Sequence, residues 1–156
     1  MIDTELPSAH SLDHAVRMFV FERAASTGTI PQLVDIAGEL DRAPEEIAAS
    51  LQRLATAKVL ILAPNGGDIW AANPFCAVRS GFRVETSGKR YWGICIWDAL
   101  GIVAALHASD ASIQAPCGDC GELLHLEFRA GELVRADGLV HFAVAAREWW
   151  KNIGFA

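Results

Sequence analysis

The chain lacks any apolar run that approaches the roughly 18–20 residues of a membrane-spanning helix, although 52% of its residues are hydrophobic. The N-terminal segment 1–10 contains acidic residues and a proline, so we do not expect a signal peptide there. Positive charge is also scarce, because 13 lysines and arginines stand against 19 acidic residues and leave a net charge of −6. This acidity argues against nucleic acid as the main partner.

Cysteine is scarce as well, with four residues in a chain of 156. Without a signal peptide, these cysteines are expected to be free thiols or metal ligands in a reducing cytoplasm rather than disulfides. The length suits one domain or two very small ones, and it is enough to bury about two-thirds of the unfolded surface without such covalent links.

The first part of the chain predicts three helices. Ser11 can cap the first helix, which Gly28 ends. The second is short and has Pro31 in its first turn, and the third opens at Pro44 with two acidic residues directly after it. The third helix mixes acidic and basic side chains, whereas a helix that reads DNA would present more arginine, lysine, asparagine and glutamine. We therefore expect it to be a scaffold rather than a DNA reader.

A hairpin follows the three helices and completes a winged-helix pattern. Apolar segments at 59–62 and 69–72 flank the sequence Asn-Gly-Gly-Asp at 65–68, which is a strong turn signal. After this hairpin, the sequence pattern changes from helical spacing to short strand-like segments. This predicts a winged-helix-like domain over residues 1–75 and a second domain over residues 76–156.

The second half predicts a sheet with one principal helix. A hairpin is expected around Ser87 and Gly88, and a helix from Cys95 to His107. Leu100, Val103 and Ala104 are expected to face inward from this helix, with Ala99 as a further candidate. Further strands are predicted at 111–115, 122–128, 132–135 and 139–144, and a short helical end at 147–152. The whole chain is therefore predicted to be α+β, with a mixed or antiparallel sheet in its second domain.

Cys95 and Asp98 form the most informative pair in the sequence. If a helix begins near Cys95, a spacing of three places the thiol and the carboxyl on neighbouring positions of one face. The positive end of the helix dipole is expected to favour the thiolate of Cys95, and burial among tryptophans is expected to keep the Asp98 carboxyl protonated. A soft nucleophile beside a proton donor is what the protonolysis of a carbon–metal bond requires.

Motifs along most of the chain resemble the alkylmercury lyase (organomercurial lyase) family. The motifs that carry this resemblance are Ala-Asn-Pro-Phe at 72–75, Phe-Arg-Val at 82–84, Tyr-Trp-Gly at 91–93, Cys-x-x-Asp-Ala-Leu-Gly at 95–101 and Val-His-Phe at 140–142. The resemblance implies a winged-helix-like N-terminal domain, a catalytic domain of mixed sheet and helices, and cleavage of carbon–mercury bonds by two cysteines and an aspartate. Cys95 matches the first cysteine of the family, and Asp98 matches the aspartate.

The second cysteine of the family has no counterpart at the matching place, just before the Val-His-Phe motif. Asp137 occupies that place within a residue or two, so it is a candidate catalytic residue. A thiol of Cys117 or Cys120 is the alternative, if a loop brings it near. The resemblance implies that no cofactor is required and that Hg(II) is a ligand or product.

Cys117 and Cys120 form a Cys-x-x-Cys-Gly turn that can direct two sulfurs to one side. Zinc needs four ligands and the sequence has no second turn of this kind, so we expect reduced, neighbouring thiols that bind Hg(II) or zinc weakly. A redox pair and a plain tight turn stay open as alternatives.

Other side chains near the Cys95 motif have simpler interpretations. Trp92 and Trp97 either wall the pocket or belong to the core, and both alternatives stay open. Trp149 and Trp150 are expected to anchor the C-terminal helix. Cys76 is expected to be buried and inert.

The leading hypothesis is a cytoplasmic alkylmercury lyase-like enzyme that acts on a small organometal compound, with cellular thiols removing Hg(II). One alternative is a lyase-fold enzyme with a non-mercury substrate. Another is a non-catalytic protein that binds soft metals or regulates through the winged helix. The oligomeric state stays open, with a homodimer as one alternative.

Overall fold

The computed structural model describes residues 9–64, 66–142 and 144–151, and its fold is α+β as predicted. Three helices open the chain, α1 (Ala9–Thr27), α2 (Leu33–Leu40) and α3 (Pro44–Thr56). The short strands β1 (Ile61–Leu62), β2 (Ile69–Ala72) and β3 (Phe75–Cys76) follow. The remainder contains β4 (Phe82–Thr86), β5 (Lys89–Gly93), α4 (Ile96–Ala105), β6 (Ala111–Pro116), β7 (Leu123–Arg129), β8 (Glu132–Ala136) and a C-terminal 3-10 helix (Ala146–Lys151).

The helix starts correct two of the predictions. Ser11 lies inside α1 rather than at its cap. Pro31 lies before α2 rather than in its first turn, because Gln32 is the N-cap and its amide donates to the Asp35 carboxylate at 3.0 Å. The third helix does begin at Pro44, whose fixed φ suits the first helical position.

The described residues form two sheets, and every strand pair in them is antiparallel. The first has the order β1-β2-β3 and supplies the predicted hairpin, although Asn65 of its turn lies outside the described residues. The second has the order β5-β4-β6-β7-β8. Its β4–β5 hairpin turns at Ser87 and Gly88, both of which have positive φ. Three helices and this small sheet are present in the first part of the described chain, and the winged-helix-like arrangement stays a prediction.

The predicted strand at 139–144 is wrong. Its described residues form no strand, because Gly138 adopts a φ of +96° and the following residues run along a cavity instead of pairing beyond β8. The predicted helical end is present as the 3-10 helix, although Asn152 lies outside the described residues.

Helix α4 is shorter than predicted and packs through different side chains. It ends at Ala105, and His107 adopts a left-handed φ of +47°, which ends the helical path. Ala104 is exposed and Leu100 is half-buried, whereas Ala99, Ile102 and Val103 face the sheet. Ile102 was not among the residues predicted to face inward, and it is fully buried.

The core consists of two clusters that α1 connects. Val16 and Val20 pack among the helices and the small sheet, while Ala24 packs with α4 and the large sheet. The Tyr91 hydroxyl donates to the Ala25 carbonyl at 2.8 Å and joins α1 to β5. Gly28 also permits close approach, because a Cβ there would lie 2.2 Å from a backbone oxygen of β5. The boundary between residues 75 and 76 stays a prediction.

A polar cluster fixes α3 against α1. Ser50 is fully buried and donates to the Asp13 carboxylate at 2.6 Å, and Arg53 donates to both oxygens of the same carboxylate. Burying a serine hydroxyl is tolerated when it is hydrogen-bonded in this way. The Arg53 guanidinium is thus engaged within the protein rather than offered to a phosphate. In the part of the chain that the structure describes, no helix could cross a membrane.

Candidate functional site

The start of α4 brings Cys95 and Asp98 together. Cys95 is the N-cap and has extended backbone angles, so its side chain leaves the helix at its N-terminal end. Asp98 is the third helical residue and points back toward the same end. The Cys95 Sγ lies 3.8 Å from the Asp98 Oδ2, and both residues line one cavity. The prediction that the thiol and the carboxyl lie side by side at the helix start is confirmed.

The Asp98 carboxyl is almost completely withdrawn from solvent, with an exposed fraction of 7%. The Ile94 amide donates to its Oδ2 at 3.0 Å, and the Asn73 side-chain amide approaches its Oδ1 at 3.5 Å. Burial raises the pKa of Asp98 above its ordinary value and outweighs the opposing effect of the donors from Ile94 and Cys95. The side chain can therefore hold a proton beside the thiol. The bond from Ile94 also gives this carboxyl a structural role at the helix start.

Asn73 and Gly93 contribute to the site, and sequence reasoning gave neither a role. Asn73 belongs to the Ala-Asn-Pro-Phe motif, so the sequence marked this segment as important. The contact between Asn73 and Asp98, however, depends on how the chain folds. At Gly93, a Cβ would lie 2.8 Å from the Asp98 Cβ, 2.9 Å from the Ala99 nitrogen and 3.1 Å from the Cys95 carbonyl oxygen. Only glycine lets α4 begin this close to the end of β5.

The expected activation of Cys95 by the helix N-terminus is wrong. Burial raises the pKa of Cys95, and this effect exceeds that of the backbone amides of Asp98 and Trp97, which lower it. The prediction took account only of the helix N-terminus, which favours the thiolate. The same fold that places the sulfur at the N-cap also buries it, and burial disfavours the thiolate. The resting side chain is a thiol whose proton must leave when a metal binds.

A cavity of about 1070 Å³ surrounds the pair. It brings together Cys95, Asp98, Cys117 and Asp137, while Cys120 is exposed and does not line it. The rest of its wall is largely apolar and includes Pro74, Phe82, Ile96, Trp97, Leu100, Leu124, Leu126, Leu139, Val140, Phe142, Val144 and Trp149. An apolar cavity with a few polar groups at one end is the usual form of a small-molecule site.

Aromatic side chains close one side of this cavity. The Phe142 ring lies 5.6 Å from that of Trp97 in an edge-on contact and 5.4 Å from that of Trp149. The Trp149 indole donates to the Val144 carbonyl at 2.8 Å, which holds the C-terminal segment against the cavity. Trp97 therefore walls the pocket. Trp92 does not line the cavity and instead lies 5.6 Å beneath the Arg79 guanidinium.

Asp137 is engaged by a neighbouring arginine. The Arg135 guanidinium donates to both carboxylate oxygens, at 3.3 and 2.9 Å, and the His125 amide donates at 3.3 Å. These contacts lower the pKa of Asp137, with the hydrogen bond from Arg135 as the largest cause. The carboxylate is thus ionised at the cavity wall, with much of its capacity to accept hydrogen bonds already used.

Cys117 and Cys120 lie next to each other as free thiols, as predicted. The turn is closed by the Gly121 amide, which donates to the Cys117 carbonyl at 2.9 Å, and by a positive φ at Gly121. The backbone amides of Cys120 and Asp119 donate to the Cys117 sulfur and lower the pKa of Cys117. The pKa of Cys117 is therefore lowered where that of Cys95 is raised, a contrast that the sequence interpretation missed.

Among the described residues, no three His, Cys, Asp or Glu side chains are grouped closely enough to hold a metal ion. The thiol pair offers two ligands, whereas a structural zinc site needs four, so weak binding of Hg(II) or zinc by this pair stays a prediction. Cys76 is buried, as predicted, and burial is the main cause that raises its pKa.

The profile described as MerB, alkylmercury lyase, matches residues 54–155, which is more than half of the chain. The comparison with curated proteins gave no match. Among solved structures, the mercury-bound form of MerB2 matches with a TM-score of 0.62 and 17% identity, covering 85% of this chain and 61% of that one. This chain therefore spans about 61% of the length of that relative. The match to the profile shows that the chain belongs to the alkylmercury lyase family.

Proposed function

We propose that the chain is an alkylmercury lyase-like enzyme, which cleaves a carbon–mercury bond by thiolate capture and protonolysis. One observation carries the proposal: the Cys95 sulfur lies 3.8 Å from a carboxyl that is 7% exposed, at the polar end of an apolar cavity. The sulfur is a soft ligand for mercury, and the carboxyl can supply a proton to carbon. The apolar wall would hold the organic group.

In the capture step, R–Hg⁺ forms a bond to the Cys95 sulfur and the thiol proton leaves. Metal binding to a protonated thiol always releases that proton, so the raised pKa of Cys95 lowers affinity without preventing the step. The new bond places the mercury atom, and the carbon attached to it, beside the Asp98 carboxyl. The reacting groups are then held together on one short segment of chain.

In the cleavage step, the Asp98 carboxyl gives its proton to the carbon as the carbon–mercury bond breaks. The hydrocarbon leaves, Hg(II) stays on the Cys95 sulfur, and Asp98 becomes a carboxylate beside the positive metal. The environment supports this order, because burial favours the protonated form of Asp98 before the reaction, and the metal's charge would stabilise the carboxylate afterwards. No cofactor is required, and cytoplasmic thiols would remove the metal.

The proposal also needs a second ligand that binds the metal together with Cys95, and Asp137 and Cys117 are the two candidates. Asp137 lies at the cavity wall, but Arg135 and the His125 amide already bind its carboxylate. Cys117 lies at the same wall, carries a soft donor atom, and receives two backbone amides that favour its thiolate. Asp137 is thus the more engaged of the two groups, and because no third His, Cys, Asp or Glu is grouped with Cys95 and Asp98 among the described residues, Cys117 would have to move toward Cys95 to serve as the second ligand.

Non-catalytic binding of soft metals is the second candidate function, and the adjacent thiols of Cys117 and Cys120 favour it. Such a protein would capture mercury compounds and release no hydrocarbon. A family member with a non-mercury substrate would likewise leave organomercurials intact.

Incubation of the protein with phenylmercury and excess thiol tests the proposal, with benzene detected by gas chromatography. Wild type should release benzene, whereas Cys95→Ser should not. Asp98→Asn should still bind phenylmercury but release no benzene, because an amide can accept the bond from the Ile94 amide but cannot donate a carboxyl proton. Asp35→Asn, at the start of α2, is a matched control for the loss of a carboxyl group at a helix start. Intact phenylmercury with the folded wild type would refute the enzyme.

A further inference from the structure

A second cavity, of about 380 Å³, lies on the five-stranded sheet and shares no lining residue with the cavity that contains Cys95. Three arginines line it, and no acidic side chain among the described residues does. This is the arginine cavity, and its polar and aromatic lining residues are Arg79, Ser80, Arg83, Arg90, Trp92 and Gln114. A chain with a net charge of −6 thus concentrates positive charge at one place.

The register of the strands groups these side chains on one face of the sheet. Arg83 of β4 is paired with Trp92 of β5 and with Gln114 of β6. Arg90 lies two residues before Trp92, and both side chains are on the same face because successive side chains of a strand alternate. The intervening residues of these strands pack on the other face, against α4. The arginine cavity is therefore on the face that α4 does not cover.

One carboxylate, that of Glu85, neutralises part of the charge around this cavity. The Arg90 Nε donates to the Glu85 Oε1 at 2.9 Å, and the Arg83 Nε lies 3.5 Å from the same oxygen. The Arg83 Nε is buried and has no hydrogen-bond partner among the described residues, although buried donors usually have one. Glu85 therefore leaves two of the three positive charges without a counterion in the described part of the chain.

The loop that carries the third arginine is held in place. The Arg79 guanidinium lies 5.6 Å from the centre of the Trp92 ring, a cation–π contact. The Ser80 hydroxyl donates to the Gly93 carbonyl at 2.5 Å and accepts from the Phe82 amide at 3.1 Å. These contacts fix Arg79 beside the sheet before any ligand binds, so little ordering is needed on binding.

We propose that the arginine cavity binds a phosphate dianion, as free inorganic phosphate or as the phosphate group of a small monoester. The two uncompensated charges match a phosphate monoester, which carries about −1.5 to −2 charges near pH 7. The planar fork of a guanidinium donates two parallel hydrogen bonds to phosphate oxygens. The Gln114 amide adds a neutral donor at the same wall. This site is independent of the proposed carbon–mercury chemistry, because the two cavities have no residue in common.

Calorimetric titration at low ionic strength and slightly alkaline pH tests the proposal, with phenyl phosphate and inorganic phosphate as probes. Phenyl sulfate is the control ligand, because it has nearly the same shape and one negative charge fewer. It should bind about tenfold more weakly than phenyl phosphate, or weaker still. Tighter binding of phenyl phosphate than of inorganic phosphate would assign the site to a monoester, and the reverse order would assign it to the free ion.

Substitutions test whether the arginine cavity is the place of binding. Arg83→Gln and Arg79→Gln should each weaken phosphate binding about tenfold or more, because each removes charge-assisted hydrogen bonds. Arg79 lies in the loop before β4, so its variant leaves the sheet intact if Arg83→Gln does not fold. Arg129→Gln is the matched control, since Arg129 belongs to the same sheet, pairs with Glu127 and does not line the cavity. Circular dichroism checks that each variant is folded.

Three results would overturn the proposal. The first is that the folded wild type binds neither phosphate probe at low ionic strength. The second is that phenyl sulfate binds as tightly as phenyl phosphate, because the site would then not select a dianion. The third is that Arg129→Gln weakens binding as much as Arg79→Gln does, because the effect would then be one of general surface charge. Benzene release does not enter this test, so the proposed function can fail without affecting its outcome.

Discussion

Gly93 is the residue at which the packing of the site can be tested most directly. It ends β5, and the first turn of α4 lies against it. A Cβ at this position would lie 2.8 Å from the Asp98 Cβ and 2.9 Å from the Ala99 nitrogen. Both atoms belong to the rigid start of the helix, so neither can move away as the end of a flexible side chain could. Gly93→Ala must therefore displace the segment that carries Cys95 and Asp98.

The expected cost follows from two opposing effects. Forcing one extra carbon into a packed interior costs about 1–3 kcal/mol. Alanine also restricts the unfolded chain more than glycine does, which offsets about 0.4–1 kcal/mol. The net loss of unfolding free energy should be about 1–2 kcal/mol. The effect on benzene release should be larger than the loss of folded protein explains, because the shift falls on the two reacting groups.

Urea unfolding measures the unfolding free energy of wild type and Gly93→Ala. Benzene release is compared under conditions in which both proteins are folded. Gly38→Ala in α2 is the matched control, because no atom lies within 4 Å of the added Cβ. Its stability should stay the same or rise by up to about 1 kcal/mol, the helix preference of alanine over glycine. If Gly93→Ala unfolds at the same urea concentration as wild type with the same slope, the close contact at α4 is not as described.

Three further predictions concern the ionisation of Asp98, the second ligand and the winged helix. Because burial raises the folded-state pKa of Asp98, the contribution of Asp98 to stability is largest at low pH and is lost as pH rises through that raised pKa. Urea titrations should therefore show Asp98→Asn gaining stability relative to wild type as pH increases, and a constant difference would refute the pKa shift. Asp137→Cys should speed benzene release if the second ligand is limiting, whereas an unchanged rate would indicate that the 117–120 thiols suffice. An anisotropy titration at physiological salt should detect no sequence-specific DNA binding, since the chain is acidic and Arg53 is bound to Asp13; submicromolar selective binding would contradict this.

The sequence predicted those parts of the fold that depend on local patterns. The start of α3 at Pro44, the β4–β5 hairpin and the N-cap at Cys95 each follow from a few adjacent residues. The segment 139–144 has the composition of a strand but no place in the sheet, because Gly138 turns it toward the cavity. Its apolar side chains line the cavity instead of packing within the sheet. Amino-acid composition alone does not distinguish a cavity-lining segment from a strand.

In the candidate site, too, some features follow from adjacent residues, whereas others depend on contacts between distant segments of the chain. Spacing alone predicted that Cys95 and Asp98 would meet, since both belong to one helical turn. The direction of the pKa of Cys95 could not be predicted in this way, because it depends on the elements that bury the helix start. The contact from Asn73 and the engagement of Asp137 by Arg135 likewise needed the folded chain.

The protonation of the resting site has a consequence for its selectivity. Burial raises the pKa of both Cys95 and Asp98, so it disfavours the charged form of each group. Hard cations such as Mg²⁺ and Ca²⁺ bind to charged oxygen ligands and would gain little from this pair. A soft organometal cation gains a bond to sulfur that compensates for the loss of the thiol proton. Burial thus makes Cys95 a poor general nucleophile that reacts mainly with metals that bind sulfur strongly. The same burial favours the protonated form of Asp98, which supplies the proton that cleavage consumes.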